Sequence, residues 1–399
     1  MTVDRVTFKY NDMSGFDLLP AHLENAPFEA APREYRNRTL FDTDTTNPGL
    51  YFGPYTIARV VSGAYVVLEP NKYWHGKKPH FQRIVVRVIT NTAAMEASLL
   101  AGGIDYIAGE LGVSLDQALG IERRHKTRFN FLYKTGLFYE HLDIDLDNPV
   151  LADRRVRQAL IYGLQRQKIV EALFKNRQKV ADTNVSPLDQ VHTDKGVPTY
   201  RYDPKKARKL LAEAGWKKRG RFLVNGDGER LKLLLMTTAG NRSRALVQQV
   251  IQSYWRRLGV DVRIKNEPAR VFFGVTVTQR KFEGMAMFAW ISAPESVPRT
   301  TLYSDMIPTR KNNWAGQNYT GYKNPKVDAL IDKLELELDL EKRKEMWRQL
   351  QIIYATDLPA IPLFFRADSY IMPKWLKGIR PTGHLVPSTY WVEDWTAVE

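Results

Sequence analysis

The chain has 399 residues, 44% of them hydrophobic and 26% charged, which fits a folded water-soluble protein and exceeds what one ordinary core needs. It carries a net charge of +15 and has no cysteine. Disulfides, thiolate nucleophiles, Cys-ligated zinc and iron–sulfur clusters are thereby excluded. No apolar run approaches the ~20 residues that a membrane helix requires, and the start, Met1-Thr2-Val3-Asp4-Arg5, lacks the basic-then-apolar pattern of a secretory signal.

In chain order, the first clear elements are two alternating β-rich runs, 55–61 and 64–68, joined by Ser62-Gly63 as a hairpin turn. A loop with Asn71, Gly76 and Pro79 precedes a third strand at 83–89. A helix over 91–100 follows, stopped by Gly102-Gly103. This region is mixed α and β, with no obvious element before its strands. Asp143, Asp145 and Asp147 alternate with Ile144 and Leu146, which puts three carboxylates on one face of a strand. Their spacing begins like a calcium loop. Asn148 stands where that loop needs Gly, however, and Arg154 where it needs Glu, so a half-exposed strand is the reading.

Asp153 caps a predicted helix whose apolar stripe runs Val156, Leu160, Leu164 and on to Leu173. A second helix has Asp203 at its cap, Pro204 at its first position and Gly215 as its stop. Residues 151–219 hold 17 Lys/Arg against 7 Asp/Glu. These charges interleave with apolar residues at helical period, the pattern of a basic solvated surface. Anionic ligands, an anionic membrane surface and nucleic acid are the rival explanations, but no RNA-binding signature or zinc finger is present. A strand at 231–236, a helix at 243–258 ended by Gly259 and a strand at 260–264 form a crossover unit, the mark of an α/β lobe. Further helices open at Asn324-Pro325 and span 341–354, and 357–365 returns as an extended segment.

The sequence lacks the hydrolase nucleophile elbow, the phosphate-binding loop, the dinucleotide glycine fingerprint and the zinc-protease His-Glu-x-x-His. Its seven histidines are scattered, with no two four residues apart. No catalytic residue, metal ligand or cofactor is expected, and the chain is read as a binding protein, not an enzyme. Trp290 ends a predicted strand at 285–290 that runs into the loop 291–298. With Tyr139, Trp314, Tyr319, Tyr322, Phe364 and Phe365 it offers walls for an aromatic pocket.

The order of motifs resembles the peptide/nickel class of periplasmic solute-binding proteins, relatives of dipeptide- and oligopeptide-binding proteins. Gly53-Pro54-Tyr55 with the segment from Leu68 to Tyr73-Trp74, Gly76 and Pro79 is similar to that family's hairpin signature. Further matches are the helix running from Ala97 into Gly102-Gly103-Ile104-Asp105, Val156-Arg157-Gln158-Ala159-Leu160 with Lys168-Ile169-Val170, and Tyr202-Asp203-Pro204 through Ala214-Gly215-Trp216. Leu258-Gly259-Val260-Asp261-Val262, Tyr322-x-Asn324-Pro325, Arg343 and Leu358-Pro359-Ala360-Ile361-Pro362-Leu363 complete the series, which runs from about residue 50 to the end.

The resemblance implies an α/β fold of two lobes, with mixed sheets flanked by helices, closing on a peptide or peptide-like solute. It implies a periplasmic location and delivery to ABC permease subunits in the inner membrane by a monomer. The expected division is 1–145 for the remainder of lobe one, 146–363 for the second lobe and 364–399 for the return to lobe one. Crossings are expected near 139–147 and 362–366. The expected ligand-binding residues are Tyr139, Glu140, Phe288, Trp290, Ser292, Ala293, Glu295, Tyr319, Phe365 and Arg366. The strand at 288–295 would offer backbone hydrogen bonds to an extended ligand, and Arg366 either meets a ligand carboxylate or forms a structural ion pair.

Two departures from the family pattern shape the expectation. The chain begins inside lobe one, as a truncated gene product or fragment would. Ala293 stands where oligopeptide binders place an Asp for the ligand's α-ammonium group, and the nearest acid is Glu295. A blocked or modified peptide, an opine-like compound or another solute is therefore open as ligand. The rival functions are a non-functional remnant, a basic protein binding nucleic acid or another anion, and a hydrolase on the same scaffold.

Overall fold

Alternating and helical hydrophobic periods along the chain are realised as sheets with helices packed on them. The structure, a computed structural model, describes residues 19–109 and 112–398, and the signal-pattern reading of residues 1–5 lies outside them. The described residues form two compact units, one of 135–367 and one of 19–134 with 368–398. The chain passes from one unit to the other inside the strands Phe129–Ile144 and Ala360–Pro373.

In the unit of 19–134 and 368–398, Tyr55–Val61, Tyr65–Pro70 and Ile84–Arg87 make an antiparallel three-stranded sheet. The hairpin turns at Ser62-Gly63 as its sequence requires, with Gly63 in the left-handed region. Asn91 caps Thr92–Leu100 by accepting from the Ala94 N–H. Leu99, Ile107, Val113, Ala118, Ile121, Phe129 and Ile371 form the apolar core here. The helix Ala21–Ala30, which carries Pro27 inside it, has no amphipathic signature strong enough to announce it. Its Glu24 is buried and is held by the Tyr35 hydroxyl and the Leu40 N–H.

The unit of 135–367 is built on a mixed six-stranded sheet. Its order is Lys179–Val180, Ala360–Pro373, Phe129–Ile144, Met285–Ile291, Lys232–Thr238 and Asp261–Glu267. The crossover unit is as the periodicity predicts: Lys232–Thr238 and Asp261–Glu267 pair in parallel through the helix Arg242–Leu258. That helix buries Val247, Ile251, Trp255 and Leu258 and is capped by Asn241. The Trp255 indole N–H donates to the Leu160 carbonyl at 2.9 Å, so this fully buried ring has its polar atom satisfied.

One helix departs from expectation. The stripe from Val156 to Leu173 is divided between Arg154–Tyr162 and Arg166–Phe174. The break falls at Gly163, where a Cβ would come within 2.3 Å of the Leu258 side chain. Gly163 is both the local stop of the first helix and the point at which the crossover helix approaches too closely for a side chain. The three-carboxylate strand is corrected as well, because the strand ends at Ile144 and only Asp143 belongs to it. Asp145 turns to accept from the Asp147 N–H, and exposed Asp147 pairs with Arg280 at 2.7 Å.

Gly259 ends the crossover helix at φ 100°, and a Cβ there would sit 3.2 Å from the Leu223 backbone nitrogen. Gly259→Ala is expected to cost about 1–2 kcal/mol through the left-handed backbone alone, with the contact adding to it. Urea unfolding of the variant measures this directly.

Candidate functional site: an aromatic and acidic cleft

The antiparallel pairing of Phe129–Ile144 with Met285–Ile291 places Tyr139 opposite Trp290, His141 opposite Phe288 and Asp143 opposite Ala286. Alternation puts Tyr139, His141 and Asp143 on one face of their strand. These three line a cleft of about 250 Å³, together with Trp290, Ser292, Ala293, Asn184, Asp189 and residues of the 296–302 segment. Trp347 and Tyr354, from the helix Leu340–Asp357, close it from another side. All of these residues belong to the unit of 135–367.

The walls are stiff. Trp290 stacks on Tyr319 with ring centroids 6.0 Å apart and planes 22° from parallel, and Phe288 meets the Trp290 ring edge-on at 5.5 Å. Tyr139 stacks face to face on His141, packs against Phe365, and shares a 3.0 Å hydrogen bond between its hydroxyl and that of Tyr354. Burial pushes the Tyr139 hydroxyl well above the usual phenol range, with the neighbouring Tyr354 adding to the effect, so it stays a neutral hydrogen-bonding group. The Ser292 hydroxyl donates to the Asn184 carbonyl at 2.7 Å and accepts from the Ser186 N–H. It thereby ties the 184–189 segment to the strand.

The opposite face of the same strand holds a charge cluster. Glu140, 2% exposed, accepts from Arg244 Nε at 2.7 Å on one oxygen and from the Arg366 guanidinium on the other. Burial alone would raise its carboxyl pKa, but Arg366 and Arg244 outweigh that and hold it below the ordinary carboxylate range. Glu295 is likewise engaged. It takes Arg343 at 2.6 Å and the Gln190 amide, and its N–H donates to Asp189 at 2.7 Å. Those contacts hold Glu295 at φ 49°, an uncommon conformation for a non-glycine residue.

The ten expected binding residues therefore separate by position. Tyr139, Trp290, Ser292 and Ala293 line the cleft. Phe288, Tyr319 and Phe365 pack behind it. Glu140, Glu295 and Arg366 are ion-paired. Of the other aromatic candidates, Tyr322 lies in the core cluster with Trp347 and bonds to Asp357, and Phe364 packs on Phe174. His141, Asn184, Asp189 and Trp347 were missed. Alternation with Tyr139 was a usable signal for His141. The other three reach the cleft only through tertiary folding.

Comparison with known proteins places this geometry. The chain is 26% identical over 395 residues to the oligopeptide-binding protein AppA of Bacillus subtilis, covering 97% of this chain and 68% of that one. It is 25% identical over 333 residues to OppA of the same organism, covering 82% of this chain and 58% of that protein. The crystal structure of an oligopeptide-binding protein from Thermus thermophilus in complex with a pentapeptide superposes with a TM-score of 0.68 and 30% identity, over 95% of this chain and 71% of that one. The chain thus spans between 58% and 71% of the length of these three relatives. The family profile of bacterial extracellular solute-binding proteins, family 5, matches residues 2–313, and the chain belongs to that family.

Proposed function

We propose that this chain is the extracytoplasmic solute-binding component of an ABC importer, and that it captures a peptide or peptide-like solute in the cleft beside Trp290. One observation carries the reading. The parallel partner Lys232–Thr238 is in register only with Met285 and Ala286, so among the described residues the far part of Met285–Ile291 has no strand on that edge. Beyond Met287, whose carbonyl accepts from the Thr237 hydroxyl, an edge that no strand pairs, next to a stacked aromatic wall, is the equipment for binding an extended peptide by strand addition. Family membership and the peptide complex of the Thermus relative support it. The protein works in the periplasm as a monomer and hands its solute to permease subunits in the inner membrane.

Thermal unfolding against a library of short peptides tests this. A saturable rise in melting temperature with a peptide class is expected, following the ligand concentration logarithmically above saturation. Trp290→Ala should weaken the best peptide by about 30-fold, the cost of losing ~2 kcal/mol of aromatic contact, while leaving the unliganded fold intact. A transition that no peptide shifts would overturn the reading.

A further inference from the structure

The basic stretch of the sequence gathers at one place in the fold. Residues 201–232 carry 11 Lys/Arg against 4 Asp/Glu, and all 11 cationic side chains are exposed. Most lie on the helix Pro204–Glu213 and on the hairpin that follows it, Lys217–Arg219 paired with Phe222–Val224. Exposed Arg256 and Arg257, in the last turn of the crossover helix, join them at the base of the hairpin. The Leu223 N–H donates there to the Gly259 carbonyl at 2.8 Å.

The hairpin is anchored on one strand and presents charge on the other. Leu223 is buried, and its carbonyl accepts from the Leu231 N–H. Lys217, Lys218 and Arg219 on the paired strand are all exposed. The neighbouring acids do not neutralise them. Asp203 caps its helix through the N–H groups of Lys205 and Lys206, and Glu229 accepts from the Asn225 amide. Among the described residues, the one ion pair that joins residues 201–232 to an acid is Lys209–Glu213, at 3.9 Å. Like charges crowded in this way repel one another, and an apposed anionic surface relieves them.

The aromatic rings decide between kinds of anion. Arg221 and Arg230 lie 4.7 and 4.4 Å from the Phe222 ring, Lys206 4.2 Å from Tyr162, and Arg257 5.4 Å from Tyr254. Rings already engaged by cations are poor platforms for bases, which single-stranded nucleic acid needs. The cations come from a helix, a hairpin and a helix end, with no common repeat to match a duplex backbone. Lipid headgroups diffuse in the plane of a bilayer and meet cations at whatever spacing the protein presents.

We propose that this basic surface of the 135–367 unit docks on an anionic lipid bilayer through headgroup phosphates, holding the protein at the membrane. The inference goes beyond solute capture and does not depend on which solute is bound.

Co-sedimentation with vesicles tests it. One set of vesicles is phosphatidylcholine alone, and the other is two parts phosphatidylcholine to one part phosphatidylglycerol. At about 0.1 M salt the protein should sediment with the second set only, and about 0.5 M salt should release it. The triple variant Lys217→Gln/Lys218→Gln/Arg219→Gln should bind on the order of 100-fold more weakly, as expected for three cations lost near such a surface. A control, Lys323→Gln/Lys326→Gln/Lys342→Gln, removes the same charge from exposed positions elsewhere in the unit. It should stay within about threefold of the unaltered protein, because charges turned away from the bilayer are screened. No sedimentation with the phosphatidylglycerol vesicles, or equal losses in the two triple variants, would overturn the proposal. So would binding of duplex DNA that is tighter than vesicle binding at equal phosphate concentration and lost in the hairpin variant, which would make nucleic acid the occupant. The comparison of vesicle compositions needs no variant, so it decides even if a triple variant folds poorly.

Discussion

Glu140→Ala is expected to destabilise the protein by about 3–5 kcal/mol, because it leaves two guanidinium groups facing each other around an empty buried site. Arg244 and Arg366 approach Glu140 on separate oxygens, and the Arg244 side chain is 11% exposed. The loss is the cost of uncompensated charge, so it exceeds the net contribution of the intact cluster. Glu140→Gln keeps the shape and removes the charge, and it should fall between the unaltered protein and the alanine variant. Urea unfolding at neutral pH orders the three.

The same carboxylate gives the stability a pH dependence whose sign is fixed. Its folded pKa lies below the ordinary 4.5, so the unfolded chain takes up a proton first as pH falls. Its contribution is complete above about pH 5.5, falls as pH drops below the unfolded value, and is lost once the folded group titrates. Unfolding curves from pH 7 to pH 3 should show a steeper acid limb for the unaltered protein than for Glu140→Gln.

The second large effect is expected at Arg166. This side chain is 5% exposed, and it donates to the carbonyls of Ala181, Pro362 and Tyr200 and to the Asp182 carboxylate at 2.8 Å. Three backbone acceptors from separate segments converge on one planar fork, a geometry that lysine cannot reproduce. Arg166→Ala strands those carbonyls and should cost about 3–5 kcal/mol. Arg166→Lys should recover only part of it. The clamp also fixes the start of the segment that brings Asn184 and Asp189 to the cleft. Amide exchange over 181–200 should therefore accelerate in both variants, and affinity for the solute should fall with it.

Local signals account for what was legible in advance. Asp203 and Asn324 accept from the first helical N–H groups, each followed by Pro at a first-turn position, as their sequence contexts predict. The hairpin at Ser62-Gly63 and the parallel crossover through Arg242–Leu258 follow from turn chemistry and from period alone. The aromatic wall of the cleft around Trp290 was legible in part, because an aromatic run entering a Pro-containing loop marks a strand end.

The charge clusters and the acidic cleft floor were decided by tertiary structure. Glu140 looked like a ligand contact because nothing in its neighbourhood reveals Arg244 and Arg366, which lie 104 and 226 residues away. Asp143 looked like one of three carboxylates on the solvent side of a half-exposed strand, because local alternation does not say which face a sheet will bury. Its burial follows from the register with Met285–Ile291 and from the helix Leu340–Asp357, which brings Trp347 and Tyr354 over that face. The sequence by itself determined where the capped and turn-bounded elements lie, since caps, turns and periods act over a few residues, but not the break at Gly163 or the strand end at Ile144. Which side chains meet across those elements is set by sheet order and long-range packing, and only the folded chain holds that information.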